Sequence, residues 1–453
     1  MNDFESLRAV WIPELVVRLR EHVARLGWTP DQVRAHQRER LRALLARAVA
    51  HSPYHRRRLR GLDPHRFELA DLASLPVMTK GEMMDDLGAV FTDRELTVDQ
   101  VERALAATRE EPIPIAGRYV AMASGGSSGR RGVFVFDREA TLEFVSSIMR
   151  NLFARLGATP PGGLPIAMVA ASSAVHATGL APALTRDGLP FRFLPVPATL
   201  PLDEIVARLE ALDPPLLFGY PTLLARLALA RRAGQLRIAP GAITSTSETL
   251  TARLRATIAA GFGVPIVDTF GSTEGLVGTT RPDDPVLAFN SDACIAEVVD
   301  ADNRPLPEGA PSAKVLVTNL ANHLQPLIRY ELTDRFTREP GDGYLRARVE
   351  GRADDVLQFG DVAVHPHAIR SVLVTTPEVI DYQICQIPRG VEILAIVAGA
   401  LGDLRERIAA ALVAAGLPDP EVRVRAVPTL ARERDSAKLR RVVPLAHGPA
   451  RID

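Results

Sequence analysis

Apolar positions in the middle of this chain alternate between two rhythms. The short runs Pro165–Ala171, Phe191–Pro195, Leu216–Phe218, Ala242–Thr246 and Val264–Asp268 read as strands. Between them lie helical stretches: Leu202–Leu212, Thr222 to about Arg232, and one carrying Leu254 and Ile258, with Gly261 placed to stop it. Strand and helix in this order predict an α/β fold with a largely parallel sheet. Upstream, Leu41, Leu44, Leu45 and Val49 predict a helix over 34–60, and Leu72, Leu75, Pro76 and Met78 a loop leading into a short helix over 71–86. After about 285, Pro-rich turns, strands at 294–299 and 313–318 and a Gly-Asp-Gly turn at 341–343 predict a β-rich subdomain. The polar stretch Gly351–Asp355 reads as a boundary. Beyond it, strand 392–398, helix 403–415, strand 421–427 and a charged segment 432–441 predict a small C-terminal α/β domain. The expected organisation is a large N-terminal domain, 1–350, followed by a small one, 351–453.

Composition narrows the function classes. With 47% hydrophobic and 24% charged residues, 453 residues can bury a sizeable core. Equal numbers of cations and anions, 54 each, give no global attraction to nucleic acid or anionic lipid, so neither is expected as a partner. The basic run His55–Arg60 is expected to be a solvated helix face. Cys294 and Cys385 are far apart, which argues against a disulfide framework or a Cys-based zinc site and suits a reducing cytoplasm. Asp3, Glu5 and Arg8 interrupt any apolar leader, and runs such as Val391–Ala400 fall well short of the roughly 20 residues of a membrane span. A cytoplasmic monomer or homodimer is expected. Lysine occurs only at Lys80, Lys314 and Lys438. Where arginine serves nearly everywhere, a retained lysine suggests a need for a compact point charge.

Several polar segments could carry chemistry. Ser124, Gly125, Gly126, Ser127, Ser128, Gly129, Arg130, Arg131 and Gly132 lie between two apolar runs. Small residues let backbone N–H groups approach an anion, and hydroxyls and arginines add donors and charge, so this is either a phosphate-cradling loop or a plain hairpin loop. It lacks the Walker ending. Phe270, Gly271, Ser272, Thr273, Glu274 and Gly275 follow a strand, where open α/β sheets bind ligands. Glu274 offers a hard oxygen suited to magnesium, although Ser272 or Thr273 could simply cap a helix. His176 follows the 165–171 strand in the same way, without a Gly-x-Ser-x-Gly elbow. Arg329–Asp334 and Gly351–Asp355 are polar clusters in turn-prone settings, and Lys438 sits near the C-terminus.

In order and spacing these segments resemble the adenylate-forming superfamily of acyl-CoA synthetases, most closely its phenylacetate–CoA ligase-like branch. Ser124–Gly132 is similar to the Ser/Thr/Gly phosphate loop of that branch, and Phe270–Glu274 to its Tyr-Gly-x-Ser/Thr-Glu. Arg329-Tyr330 with Asp334 is similar to Arg-Tyr-x-x-x-Asp, and Gly351–Asp355 with Gly360 and Pro366 to the hinge motif. Ser436–Arg440 resembles Gly-Lys-x-x-Arg, and Leu75-Pro76 with Lys80 the N-terminal Leu-Pro-x-x-x-Lys. Departures are Gly125 for serine, Arg130-Arg131 for Lys-Pro, Phe270 for tyrosine, Thr246-Ser247-Glu248 for Gly-Gly-Glu, and Ala437 for glycine.

The resemblance implies that a carboxylic acid, aromatic or cyclic by branch analogy, attacks the α-phosphate of ATP with Mg²⁺, and that the acyl group then passes to the thiol of CoA. An amine, a carrier-protein thiol, or no catalysis at all are the alternatives. It further implies that the 124–132 loop binds the β- and γ-phosphates, Thr273 the α-phosphate and Glu274 the magnesium. Asp334 would bind the ribose and Arg352 would lie near the phosphates, while Ser247, Glu248, Asp268 and Phe270, with Gly271 and Ser272, would surround the adenine side. His176 and Tyr220 would line the acyl pocket. Lys438 would sit between the carboxylate and the α-phosphate, carried by a small mobile domain that turns about Asp354 and Asp355.

Overall fold

A computed structural model describes residues 4–124, 131–155, 162–171, 173–185, 189–341, 343–352, 356–364, 366–374, 376, 378–432 and 439–445. The chain divides into two compact units, Met1–Glu350 and Gly351–Asp453.

The first unit opens with helices α1 (Phe4–Arg25), α2 (Pro30–His51), α3 (Pro53–Arg58), α4 (Lys80–Asp85), α5 (Leu87–Val90) and α6 (Val98–Ala107). The helix expected over 34–60 is two helices. Pro53 has no N–H to continue the ladder, and the Ser52 side chain caps the second helix by accepting from His55 N. The basic run at 55–60 is not a solvated face throughout. His55 is buried against Pro326 O at 2.9 Å, and Arg58 donates to the carbonyls of Pro76 and Ile328.

An antiparallel hairpin follows, β1 (Val120–Ala123) and β2 (Val133–Phe136), and then α7 (Arg138–Arg155). Strand and helix next alternate, with α8 the one helix not expected: β3 (Leu164–Ala170), α8 (Ala177–Leu184), β4 (Phe191–Pro197), α9 (Leu202–Leu212), β5 (Leu216–Gly219), α10 (Pro221–Arg232), β6 (Ala242–Thr246), α11 (Ala252–Phe262) and β7 (Ile266–Gly271). The helix α11 runs past Gly261 and stops at Gly263, which takes the left-handed conformation at φ +74°. Gly261 serves packing instead: a Cβ there would stand 2.5 Å from the Ala228 Cβ, so its absence lets α10 and α11 approach.

The remaining strands of the unit are β8 (Val277–Thr279), β9 (Leu287–Phe289), β10 (Cys294–Val299), β11 (Lys314–Asn319), β12 (Tyr330–Leu332), β13 (Asp334–Glu339) and β14 (Arg346–Arg352). The main sheet runs β13-β14-β9-β8-β7-β6-β5-β3-β4, with β3 to β7 mutually parallel and β8 and β9 antiparallel. Strands β10, β11 and β12 form a separate antiparallel sheet, the β-rich part expected after 285.

The second unit contains β15 (Leu357–Phe359), β16 (Val362–Val364), α12 (His367–Val374), β17 (Val379–Ile387), β18 (Gly390–Val397), α13 (Leu404–Ala414), β19 (Glu421–Ala426) and β20 (Val442–Val443). Its four-stranded sheet, β19-β18-β17-β20, packs on α12 and α13 around Ile369, Ile384, Ile393 and Ile408. No helix among the described residues is long and apolar enough to cross a membrane.

Candidate active site

The glycine-serine segment is the connection of the β1–β2 hairpin. Its base is closed twice: Ser124 N donates to Gly132 O at 2.9 Å, and Gly132 N donates to Ser124 Oγ at 3.0 Å. Arg131 pairs with Glu102. Gly125, Gly126, Ser127, Ser128, Gly129 and Arg130 lie outside the described residues.

Two buried amides hold the hairpin from the side, and neither was expected from the sequence. The Gln325 side chain donates to Val133 O at 2.9 Å and accepts from Val135 N at 2.7 Å, so it acts as one residue of a further strand. Asn322 donates to Val135 O at 2.9 Å. A third amide three residues earlier, Asn319, donates to Glu274 O at 2.8 Å. That even spacing, 319, 322, 325, was the available signal. Gln325→Leu leaves two buried backbone groups unpaired, so it should cost about 1–3 kcal/mol. Chemical denaturation checks the stability. An unchanged midpoint would remove Gln325 from any role in holding the hairpin.

The Ser272–Leu276 turn joins β7 to β8 at the C-terminal end of the parallel strands. Ser272 N donates to Leu276 O, and Leu276 N returns to Ser272 Oγ. Gly275 is required twice over: its φ is +105°, and a Cβ would lie 2.2 Å from Asn319 Nδ2. The turn leaves Thr273 and Glu274 only 9% and 6% exposed. Tyr330, wholly buried, is where distant segments meet. Its ring packs edge-on to Phe134 of β2, the Glu274 charge lies beside it, and its hydroxyl has no partner among the described residues. Burial, reinforced by Glu274 and Glu331, pushes this phenol well above its usual range.

Next to Tyr330, Arg329 ties in the N-terminal Leu75–Lys80 segment, some 254 residues away in sequence. Its guanidinium grips Glu297 with two 3.0 Å bonds and donates to the Ala73 and Leu75 carbonyls, while Met78 pairs with the backbone on both sides of Tyr330. Two of the segments singled out in the sequence are thus one structural joint.

On one face of β7, Asp268 accepts from Ser245 Oγ at 2.6 Å. Burial pushes its carboxyl up to about 6, against the pull of that hydrogen bond and of Arg255. Phe270 lies edge-on to Phe289 and Phe336 at 5.6 and 5.5 Å. Phe336 follows Asp334 by two positions on β13, so both side chains project from the same strand face. Asp334 is 7% exposed. Glu248 is a helix cap: its carboxylate accepts from Thr222 N and, at 2.6 Å, from Thr222 Oγ1 at the start of α10. Ser247 sits at φ +68°, a left-handed conformation that glycine adopts more easily.

The other face of the sheet floors an apolar cavity of about 750 Å³, part of it open to solvent, beneath α7 and α8. Phe193, Met168, Phe218, Thr244 and Thr269 form the floor, Phe144, Ile148 and Met149 with Ala177, Thr178 and Ala181 the roof, and Ser247 and Gly271 close one end. His176 and Tyr220 are not among its lining. His176 precedes α8 with Nδ1 3.1 Å from Ala123 O, and Tyr220 is buried at the start of α10, its hydroxyl accepting from Ala171 N.

Arg352 is exposed at the end of β14. Asp354, Asp355 and Lys438 lie outside the described residues. Immediately after Lys438, Leu439 is buried, and the chain is pinned to β17: Ile384 N donates to Arg441 O at 2.7 Å, Gln383 Nε2 donates to Arg440 O, and Arg441 pairs with Asp381. Among the described residues no group of three or more His, Cys, Asp or Glu could cage a metal. Glu274 fits a magnesium ion only as one carboxylate whose other ligands arrive with the substrate, the common pattern for nucleotide-borne magnesium.

No protein-family model matches the chain. It is 27% identical over 376 residues to the phenylacetate–coenzyme A ligase of Thermus thermophilus, covering 78% of each chain. Its fold is similar to that of 2-hydroxyisobutyryl-CoA ligase in complex with an acyl-AMP, at TM-score 0.69 and 20% identity over 90% of this chain and 89% of the other. ATP-bound MatB from Rhodopseudomonas palustris is similar at TM-score 0.51 and 18% identity, over 70% and 65% of the two chains. In sequence the chain is thus similar to a phenylacetate–coenzyme A ligase, and it shares the fold of 2-hydroxyisobutyryl-CoA ligase.

Proposed function

We propose that the protein is an AMP-forming acid–CoA ligase. One observation carries the reading: Ser247 and Gly271, which belong to the two segments expected around the nucleotide, also line a mostly apolar cavity. A nucleotide seated on that side would present its α-phosphate to a carboxylate whose body fills the cavity. The acid's oxygen then attacks the α-phosphorus and pyrophosphate leaves. In the second step the CoA sulfur attacks the acyl carbon and AMP leaves.

In this reading the protein supplies position and charge, which is what phosphoryl chemistry chiefly needs. The hairpin loop from Ser124 to Gly132 holds the β- and γ-phosphates, and Thr273 the α-phosphate. Glu274 gives one oxygen to the magnesium that arrives with ATP, a cation that neutralises phosphate charge. Asp334 takes the ribose hydroxyls, beside the Phe270–Phe336 pair. Asp268, Ser247 and the helix-capping Glu248 bound the adenine, and Arg352 and Lys438 come from the second unit, with Asp354 and Asp355 as the hinge. Within this scheme His176 and Tyr220 support the cavity from behind. The setting is cytoplasmic, and a thiol of CoA is favoured over an amine or a carrier protein by the likeness to CoA ligases.

Acid-dependent exchange of pyrophosphate into ATP tests the first step whatever the acceptor. A panel of aromatic and branched aliphatic acids should contain at least one that raises exchange about 10²-fold or more above the acid-free rate, the scale of a single well-placed catalytic interaction. Adding CoA should then yield a thioester and AMP. Exchange at the acid-free level with every acid would overturn the reading.

A further inference from the structure

Two hydroxyls that line the cavity have no partner among the described residues. Thr279 Oγ1, on β8, belongs to a residue only 6% exposed, and Thr178 Oγ1, in the first turn of α8, is a buried atom of a half-buried residue; neither finds a hydrogen-bond partner among the described residues. One hydroxyl stands on the sheet floor and the other in the helical roof. Their neighbour Thr246 is different: its Oγ1 donates to Thr269 O at 2.9 Å and is spent. A buried hydroxyl left unpaired costs about 1–3 kcal/mol. Two of them, one on the sheet and one on α8, in the lining of one mostly apolar cavity call for a common explanation.

We infer that the cavity selects a carboxylic acid whose body carries a second, uncharged hydrogen-bonding group, a hydroxyl or keto oxygen, received by Thr279 and Thr178. This rests on the ligase reading and names its substrate class. A threonine hydroxyl can donate to a ketone or exchange with an alcohol, so either oxygen satisfies it. A plain hydrocarbon acid would fill the same space and leave both hydroxyls unpaired. Sites built around a hydrogen bond reject the analogue that lacks it, whereas an added methylene discriminates weakly. A second carboxylate fits less well. Among the described residues the one charged side chain of the lining is Arg155, which is exposed and bonds Asn151 O through Nε.

The test uses matched acids differing by one oxygen: phenylacetate against its 3- and 4-hydroxy forms, and butyrate against 3-hydroxybutyrate and acetoacetate, with succinate as the doubly charged probe. In acid-dependent ATP–pyrophosphate exchange, kcat/KM should favour the better oxygenated partner by about 10- to 100-fold. Thr279→Val should abolish that preference, Thr279→Ser should retain it, and Thr178→Val should weaken it. An unsubstituted acid or succinate as the best substrate, or a preference untouched by Thr279→Val, would overturn the inference while leaving the ligase reading intact. If no acid supports exchange, the ligase reading falls, and the cavity is judged by binding alone. Thermal shifts with the same acids should then be larger for the oxygenated members and equalised by Thr279→Val. Equal shifts, or none, would overturn the inference as well.

Discussion

Lys438→Ala should slow acid-dependent pyrophosphate release by about 10²- to 10³-fold, the usual cost of removing one preorganised charge from a developing anion, with ATP binding by calorimetry little changed. The carboxylate and the α-phosphate are both anionic, and bringing them into bonding distance concentrates charge that a compact ammonium offsets. The composition gives the choice weight, because the chain uses arginine at 51 of its 54 cationic positions and keeps lysine here. Lys438→Arg tests the point separately. Its planar, bulkier guanidinium preserves charge but not shape and should restore only a fraction of the rate. Wild-type pyrophosphate release from Lys438→Ala would remove the residue from the reaction.

The largest stability loss is expected from Asp292→Ala. Arg150 and Asp292 are 1% and 0% exposed as side chains and bond at 2.8 Å, with Asn290 Oδ1 2.5 Å from the guanidinium. Burial alone would raise the Asp292 carboxyl, but the Arg150 charge holds it below its usual range. Around this pair, Glu143 gathers His22, Arg25 and Arg18, which together outweigh burial and keep its carboxyl ionised, while burial lowers His22. The network fastens α1 to α7. Removing Asp292 strands a buried guanidinium, which typically costs about 3–5 kcal/mol. Replacing both partners, Arg150→Met with Asp292→Leu, should recover most of it, because apolar pairs of similar volume avoid the desolvation cost. Urea denaturation midpoints measure both. The same helix roofs the cavity with Phe144, Ile148 and Met149, so the single variant should also raise the KM for the acid more than that for ATP. A loss below about 1 kcal/mol in the single variant would mean that the pair is not the uncompensated charge described.

The alternating strands and helices from β3 to β7 were legible because period and punctuation act locally. Helix 202–212 and strand 242–246 were placed to the residue. Errors arose where one residue type serves two purposes. Gly261 reads as a stop but exists for the close approach of α10, and the stop is Gly263. The basic run after Ser52 reads as solvated, yet His55 and Arg58 turn inward to carbonyls supplied from 326 and 328. Helices α1 and α12 and strand β17 were not anticipated.

Residue types and their order along the chain determined that a glycine-serine loop, a Thr-Glu turn, an Arg-Tyr pair and a tail lysine belong to one protein, since each motif owes its composition to neighbours within a few positions. Only the tertiary structure decided that Tyr330 is the meeting point of the hairpin, the Glu274 turn and the N-terminal segment, that Glu248 caps a helix, and that two threonine hydroxyls without a partner among the described residues line one cavity. The physical reason is that hydrogen-bond satisfaction and desolvation depend on what surrounds a group in space. Those surroundings come from residues hundreds of positions away, which no local pattern encodes.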